Sequence, residues 1–211
     1  MFTICRPRTH LVMACEDARV TRIVAGLAGG RRLKVPPKGT RPTSERVREA
    51  LFNALEVAGE LDGATVLDLY AGSGALGLEA LSRGAAGALF VEADRRAAEV
   101  LRENVAALGL GGSVRAGQVE VVLGERAAAP FQVVLADPPY AVGAAALTAM
   151  LAALASGGWV ADGGLVILER ARRDGEPDWP PGFRPVRTKR YGDTALFWAE
   201  FWAQHWAQNK A

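Results

Sequence analysis

From Thr65 onward, short apolar runs alternate with stretches of helical period, and this rhythm leaves few folds open to the chain. Residues 66–70, 88–92, 113–117, 132–136 and 165–169 are predicted strands. Residues 75–83, 95–108, 119–126 and 143–155 are predicted helices between them. Strands joined through helices pair in parallel and are covered on both faces, which gives an α/β fold. After Glu169 the rhythm breaks. Residues 185–191 and 195–202 flank Gly192-Asp193 and are predicted to form an antiparallel hairpin that closes the sheet. The expected architecture is Rossmann-like: a doubly wound, mostly parallel sheet of seven strands with that C-terminal hairpin.

The N-terminal third is organised differently. Residues 1–20 show no period and read as a disordered leader. Residues 22–26 and 31–35 flank Gly29-Gly30 and read as a basic β-hairpin, followed by a Pro- and Lys-bearing loop up to residue 42. Ser44 is placed to cap a helix in which Val47, Leu51 and Leu55 face the core and Arg46 and Arg48 lie elsewhere. The main domain is expected over 43–202, with 203–211 a tail. At 211 residues, half of them hydrophobic, the chain suffices for one such domain and its appendage.

Charge is distributed unevenly. The net charge is +2, yet the stretch from Arg19 to Arg48 carries nine basic residues and one acid, leaving the remainder acidic. A basic arm on an acidic body suits a polyanionic partner, because phosphate neutralisation supplies most sequence-independent nucleic-acid affinity. Arg31, Arg32, Lys34, Arg41 and Arg46 are the candidate contacts; a solvated basic surface is the plainer alternative. No apolar run reaches the length of a membrane span, and Arg6, Pro7, Arg8 and His10 interrupt what a secretion signal would need. The expected location is therefore the cytoplasm. Cys5 and Cys15 lack the spacing and His partners of a zinc site, and no metal is expected.

The first strand-to-helix turn reads Asp68-Leu-Tyr-Ala-Gly72-Ser-Gly74-Ala-Leu-Gly77, with Glu92 ending the next strand 20 residues after Gly72. Glycines let the backbone approach a ligand and an acidic residue there accepts bonds from ribose hydroxyls, so this is a nucleotide-binding turn. NAD, FAD and S-adenosylmethionine sites share the pattern. Asp68 favours the last: its charge would attract the methionine ammonium, whereas a pyrophosphate gains nothing from an anion, although a carboxylate capping the turn explains it too. Gln118, at the end of the third strand, could contact an adenine or stand in solvent.

At the end of the fourth predicted strand stands Asp137-Pro138-Pro139-Tyr140. Two prolines cannot extend a ladder, so the chain must leave the sheet as a stiff loop, at the edge where open α/β sheets bind ligands. The exocyclic amine of a nucleobase is a poor nucleophile, its lone pair being delocalised into the ring. Asp137 and the Pro138 carbonyl can accept its two protons and localise that pair, while Tyr140 stacks on an extruded base.

Asp68-x-x-x-Gly72-x-Gly74, Glu92 and Asp-Pro-Pro-Tyr together resemble the class I amino-methyltransferases of nucleic acids. More narrowly, Arg22-Ile-Val-Ala-Gly, Gly30-Arg-Arg-Leu, Thr40-Arg-Pro-Thr, Arg46-Val-Arg-Glu and Leu51-Phe-Asn, with the turn from Tyr70 to Ala80, resemble the RsmD family of bacterial 16S rRNA guanine-N2 methyltransferases over about residues 21–197. The resemblance implies a class I methyltransferase domain that uses S-adenosyl-L-methionine. It implies methylation of the 2-amino group of one guanine on a partly assembled small subunit. The helix-rich core looks self-sufficient, so a monomer is expected. By that match Gly72, Gly74, Glu92 and Asp137 line the cofactor, Asp137 and Tyr140 meet the guanine, and Thr43 and Arg46 lie near the entrance. Residues 1–19 and 203–211 depart from the family pattern. An N6-adenine methyltransferase would use the same Asp-Pro-Pro-Tyr chemistry. An NAD-dependent dehydrogenase would account for the glycine turn alone, and a non-catalytic RNA-binding factor for the basic arm alone.

Overall fold

The computed structural model describes residues 21–36 and 44–204. Strands β1 (Thr21–Arg22) and β2 (Arg32–Leu33) pair antiparallel and precede helix α1 (Glu45–Ala58). Then follow β3 (Thr65–Leu69), α2 (Ala75–Ser82), β4 (Gly87–Glu92), α3 (Arg95–Leu108), β5 (Ser113–Ala116), α4 (Val119–Leu123), β6 (Phe131–Ala136), α5 (Ala144–Ser156), β7 (Val160–Ala171), β8 (Phe183–Tyr191) and β9 (Thr194–Phe201). The seven-stranded sheet runs β5-β4-β3-β6-β7-β9-β8. All pairings from β5 to β7 are parallel, and β7–β9 and β9–β8 are antiparallel. The Rossmann-like fold read from the rhythm is therefore present. Strand order reverses between β3 and β6, which makes their shared C-terminal edge the switch point of the sheet.

Alternate residues of the central strands feed two cores. Val66, Val133, Leu135, Leu165 and Ile167 pack with α1, α2, α3 and the β1–β2 hairpin. Leu67, Leu69, Val134, Ala136, Val166 and Leu168 pack with α4 and α5 on the other face. Burial on both faces explains why these strands are continuous apolar runs. Local caps set the helix ends: the Ser44 side chain accepts from Val47 N–H and Asp94 from Ala97 N–H, while Gly59 and Gly109 close α1 and α3 in the left-handed conformation.

Some expectations change in detail. Helix α4 stops at Leu123, short of the predicted Arg126, and β7 begins at Val160, ahead of the predicted Leu165, with a register shift opposite Phe131 and Val133. The N-terminal hairpin pairs through only two residues per strand. Its connecting loop is held instead by α2: Val24 N–H and Ala25 N–H donate to the Glu79 carboxylate at 2.7 and 3.0 Å, and Leu27 N–H donates to the Ser82 carbonyl at 2.7 Å. Arg48 corrects the reading that set it away from the core. It is fully buried, lies 3.7 Å from Glu79 and donates to Thr21 Oγ1, so it belongs to the hairpin's seat and not to a basic surface. Burial pulls its pKa below the ordinary value, while Glu79 opposes that pull. Among the described residues no helix is long and apolar enough to cross a membrane, and no group of His, Cys, Asp and Glu could hold a metal ion. The leader 1–20, loop residues 37–43 and residues 205–211 of the tail lie outside the described residues.

Candidate active site

Two loops meet at the switch point. Leu69 pairs with Ala136 across β3 and β6, so Tyr70 and Asp137 leave neighbouring strands at one level, roughly 5 Å apart across the ladder. The glycine turn and Asp-Pro-Pro-Tyr therefore open onto a common edge. A rung further out, Gly117 N–H donates to the Glu92 carbonyl at 2.9 Å, which brings the exit of β5, and Gln118 with it, beside the exit of β4. Gln118 starts α4 and its side chain is exposed.

Bonds within the turn fix its shape. Glu92 accepts from Gly72 N–H at 2.7 Å and from Asp94 N–H at 2.8 Å, one through each carboxylate oxygen. Gly72 has φ +56° and a Cβ placed on it would meet nothing within 4 Å, so the turn is open above that residue. Gly74, at φ +82°, is closed below: a Cβ would lie 2.3 Å from Leu101 of α3. Asp68 sits beneath, 1% exposed, accepting from Gly77 N–H at 2.8 Å. Burial pushes its carboxyl up to about 7; the Gly77 bond opposes that, and Asp137 and Glu92 add to it by like-charge repulsion.

The Gly72 N–H that would face a pyrophosphate is already bonded to the Glu92 carboxylate, and Asp137 stands at the same edge, while burial moves the Asp68 carboxyl toward its neutral form. An anionic pyrophosphate would meet this acidic edge unfavourably. Tyr140 is 65% exposed, its ring outside the core. Pro139 accepts from Val142 N–H at 2.9 Å, closing the turn that carries Asp137, Pro138 and Tyr140 into α5.

The proposed RNA contacts are placed as follows. Lys34 pairs with Glu103 at 2.7 Å and Arg31 donates to the Ala107 carbonyl at 2.6 Å, so both also tether the hairpin to α3. Arg32 and Arg46 are exposed. Arg41 and Thr43 lie outside the described residues.

Two further residues of the site escape motif reading. Asn104 of α3, 3% exposed, donates to the Ser73 carbonyl and the Lys34 carbonyl, both at 2.9 Å, and accepts from Lys34 N–H, joining the glycine turn to the end of the hairpin. Its signal was an amide on the apolar stripe of Leu101 and Leu108. Tyr70 takes φ +60°, a conformation costly for a side chain of its size, and its hydroxyl lies 3.5 Å from Glu120. Burial raises its pKa, with Glu120 adding to the effect.

Strand order, turn and acidic cluster together define a class I methyltransferase, the class whose methyl donor is S-adenosyl-L-methionine. Residues 21–200 match the family model described as "Conserved hypothetical protein 95", and the chain belongs to that family, the RsmD family. It is 41% identical to ribosomal RNA small subunit methyltransferase D of Escherichia coli K12, over 82% of this chain and 86% of that one. With the protein of the same name from Haemophilus influenzae it shares 35% identity, over 70% and 77%. Among solved structures, that of Escherichia coli yhhF superposes with a TM-score of 0.79 at 38% identity, covering 88% of this chain and 99% of the other. A hypothetical protein of Thermus thermophilus gives a TM-score of 0.70 at 40% identity, over 86% and 99%.

Proposed function

We propose that the chain methylates the exocyclic N2 amine of one guanine in 16S rRNA, acting as a monomer on a partly assembled small subunit in the cytoplasm. The observation that carries this reading is the register of Leu69 with Ala136, which sets the glycine turn and Asp-Pro-Pro-Tyr side by side. The names of the relatives support the rRNA substrate. A bound S-adenosyl-L-methionine would supply an electrophilic methyl carbon, with its sulfonium sulfur leaving as a neutral thioether. Glu92 would hold the ribose hydroxyls, Gly72 and Gly74 would allow close approach, Asp68 would lie beneath the turn on the ammonium side, and Gln118 would border the adenine. Asp137 and the Pro138 carbonyl accept the two protons of the guanine amine and orient its lone pair, and Tyr140 stacks on the extruded ring, a contact worth about 1–3 kcal/mol. Attack on the methyl carbon would leave the nitrogen with an extra, strongly acidic proton, which passes to the Asp137 carboxylate and on to solvent, so little basicity is asked of Asp137. Arg32 and Arg46 would contact the RNA, as would Arg41 and Thr43, which lie outside the described residues, with Arg31 and Lys34 holding the hairpin.

Labelled methyl transfer to undermethylated small subunits, followed by digestion and mass spectrometry of nucleosides, tests the reading. Label in N2-methylguanosine is the expected outcome. Label in N6-methyladenosine would refute the guanine assignment.

A further inference from the structure

The C-terminal hairpin carries a second basic surface that the site has not used. Strand β8 forms one edge of the sheet and contains Arg184, Arg187, Lys189 and Arg190 with no acid among them. Arg184, near its start, is paired with Glu200. The guanidinium of Arg187 lies 5.3 Å over the Trp198 ring, a contact that fixes the side chain without neutralising it. Lys189 and Arg190 are exposed, and neither forms an ion pair with a described residue.

Register places these charges. Ala136 pairs with Leu168, Leu168 with Phe197 and Phe197 with Thr188, so one row crosses the sheet from β6 to β8. Lys189 is therefore one step along, at the level of Asp137 and three strand spacings or about 14 Å from it, on the Trp198 and Leu196 face with Arg187; Arg190 lies one step beyond, on the other face of the same edge strand. Arg172 is drawn to the same corner, its N–H donating to the Asp193 carbonyl in the β8–β9 turn at 2.7 Å. The N-terminal hairpin is tied to the opposite side of the switch point, through Lys34 and Asn104 to the glycine turn.

We infer that Arg187, Lys189 and Arg190 form a phosphate-binding ridge that holds the RNA strand on the Asp-Pro-Pro-Tyr side of the extruded base, opposite the N-terminal hairpin. The inference rests on the RNA-methyltransferase reading above. Charged edge strands also resist edge-to-edge pairing, but here Pro185 and the register shift between Pro185 and Arg187 already interrupt the first half of β8. The unpaired charges are confined to the half that reaches the catalytic edge.

The test compares wild type, the triple variant Arg187→Ala/Lys189→Ala/Arg190→Ala, and Arg184→Ala as a control at the far end of the same strand. Methyl transfer to undermethylated small subunits and equilibrium binding of 16S rRNA are both measured across a salt series, with S-adenosylhomocysteine affinity as the check on folding. The triple variant is expected to keep cofactor affinity and kcat, to raise KM about tenfold or more, and to show a log–log salt slope shallower by about two to three, the loss of three phosphate contacts. Arg184→Ala should behave as wild type. Unchanged RNA affinity and slope in the triple variant, an equal effect in Arg184→Ala, or self-association with an unaltered salt slope would each overturn the ridge. Failure of the wild type to methylate any RNA while the triple variant still binds it more weakly would sink the proposed reaction and leave the ridge standing.

Discussion

Asp137 and Asp68 are two carboxylates of one edge with opposite needs. Asp137 is half-buried at the end of β6, where its charge can meet an amine. Replacing it with Ala should lower kcat by a factor of about 10² or more, by analogy with deletion of one group that binds the reacting atoms, while S-adenosylhomocysteine affinity stays the same. Unchanged turnover would remove it from the chemistry. Asp68 is buried and its carboxyl is raised to about 7 from 3.8. Between those values the folded state holds a proton that the unfolded state has lost, so the stability linked to this group falls as pH rises from about 4 to about 7 and then levels off. Asp68→Asn, which keeps an acceptor for Gly77 N–H, should lack this decline. Melting curves of both proteins across that range check it, and a constant difference between them would contradict the buried-charge account. Of the two readings of Asp68, the geometry shows the cap on the turn, in the bond accepted from Gly77 N–H.

At the scale of elements, the strands and the glycine turn were legible because parallel strands buried on both faces need unbroken apolar runs. Elements whose partners are distant were less so. The hairpin is short because its loop spends its backbone donors on Glu79 and on Ser82 of α2, more than 50 positions away, and nothing local encodes that. Arg48 reads as a surface charge by residue type, yet it precedes Leu51 and Leu55 by three and seven positions, on the apolar stripe; a charge there needs the Glu79 carboxylate, which sits in a helix buried almost all round. Asn104 shows the same principle at the site. Asn104→Ala would leave Lys34 N–H and the Ser73 and Lys34 carbonyls without their buried partner, costing about 1–3 kcal/mol, or roughly 2–10 °C in melting temperature. Because Ser73 is part of the turn, cofactor affinity should fall as well. Loss of stability with cofactor affinity intact would confine Asn104 to anchoring the hairpin.

For the molecule as a whole, the basic arm inferred from composition is smaller than its residue count. Arg48 is internal, Arg22 pairs with Glu45 at 3.1 Å, and Lys34 pairs with Glu103, so several of the charges hold the arm in place. Among Arg31, Arg32 and Lys34, substitution of Arg32 by Ala should flatten the salt dependence of RNA binding most, by about one unit of log–log slope, since Arg32 makes no ion pair with a described residue. An equal or larger effect of Lys34→Ala, measured by titration across a salt series, would contradict this ordering.

The proposed reaction depends on donor and acceptor sharing one cleft at the β3–β6 edge. A crystal structure with S-adenosylhomocysteine and a guanosine-containing oligonucleotide measures that directly. The expected result is the cofactor sulfur above Gly72 and the guanine N2 between Asp137 and the Pro138 carbonyl, with the nitrogen about 3–3.5 Å from the position of the transferred carbon. A cofactor bound away from the glycine turn, or a guanine whose amine turns from Asp137, would contradict it.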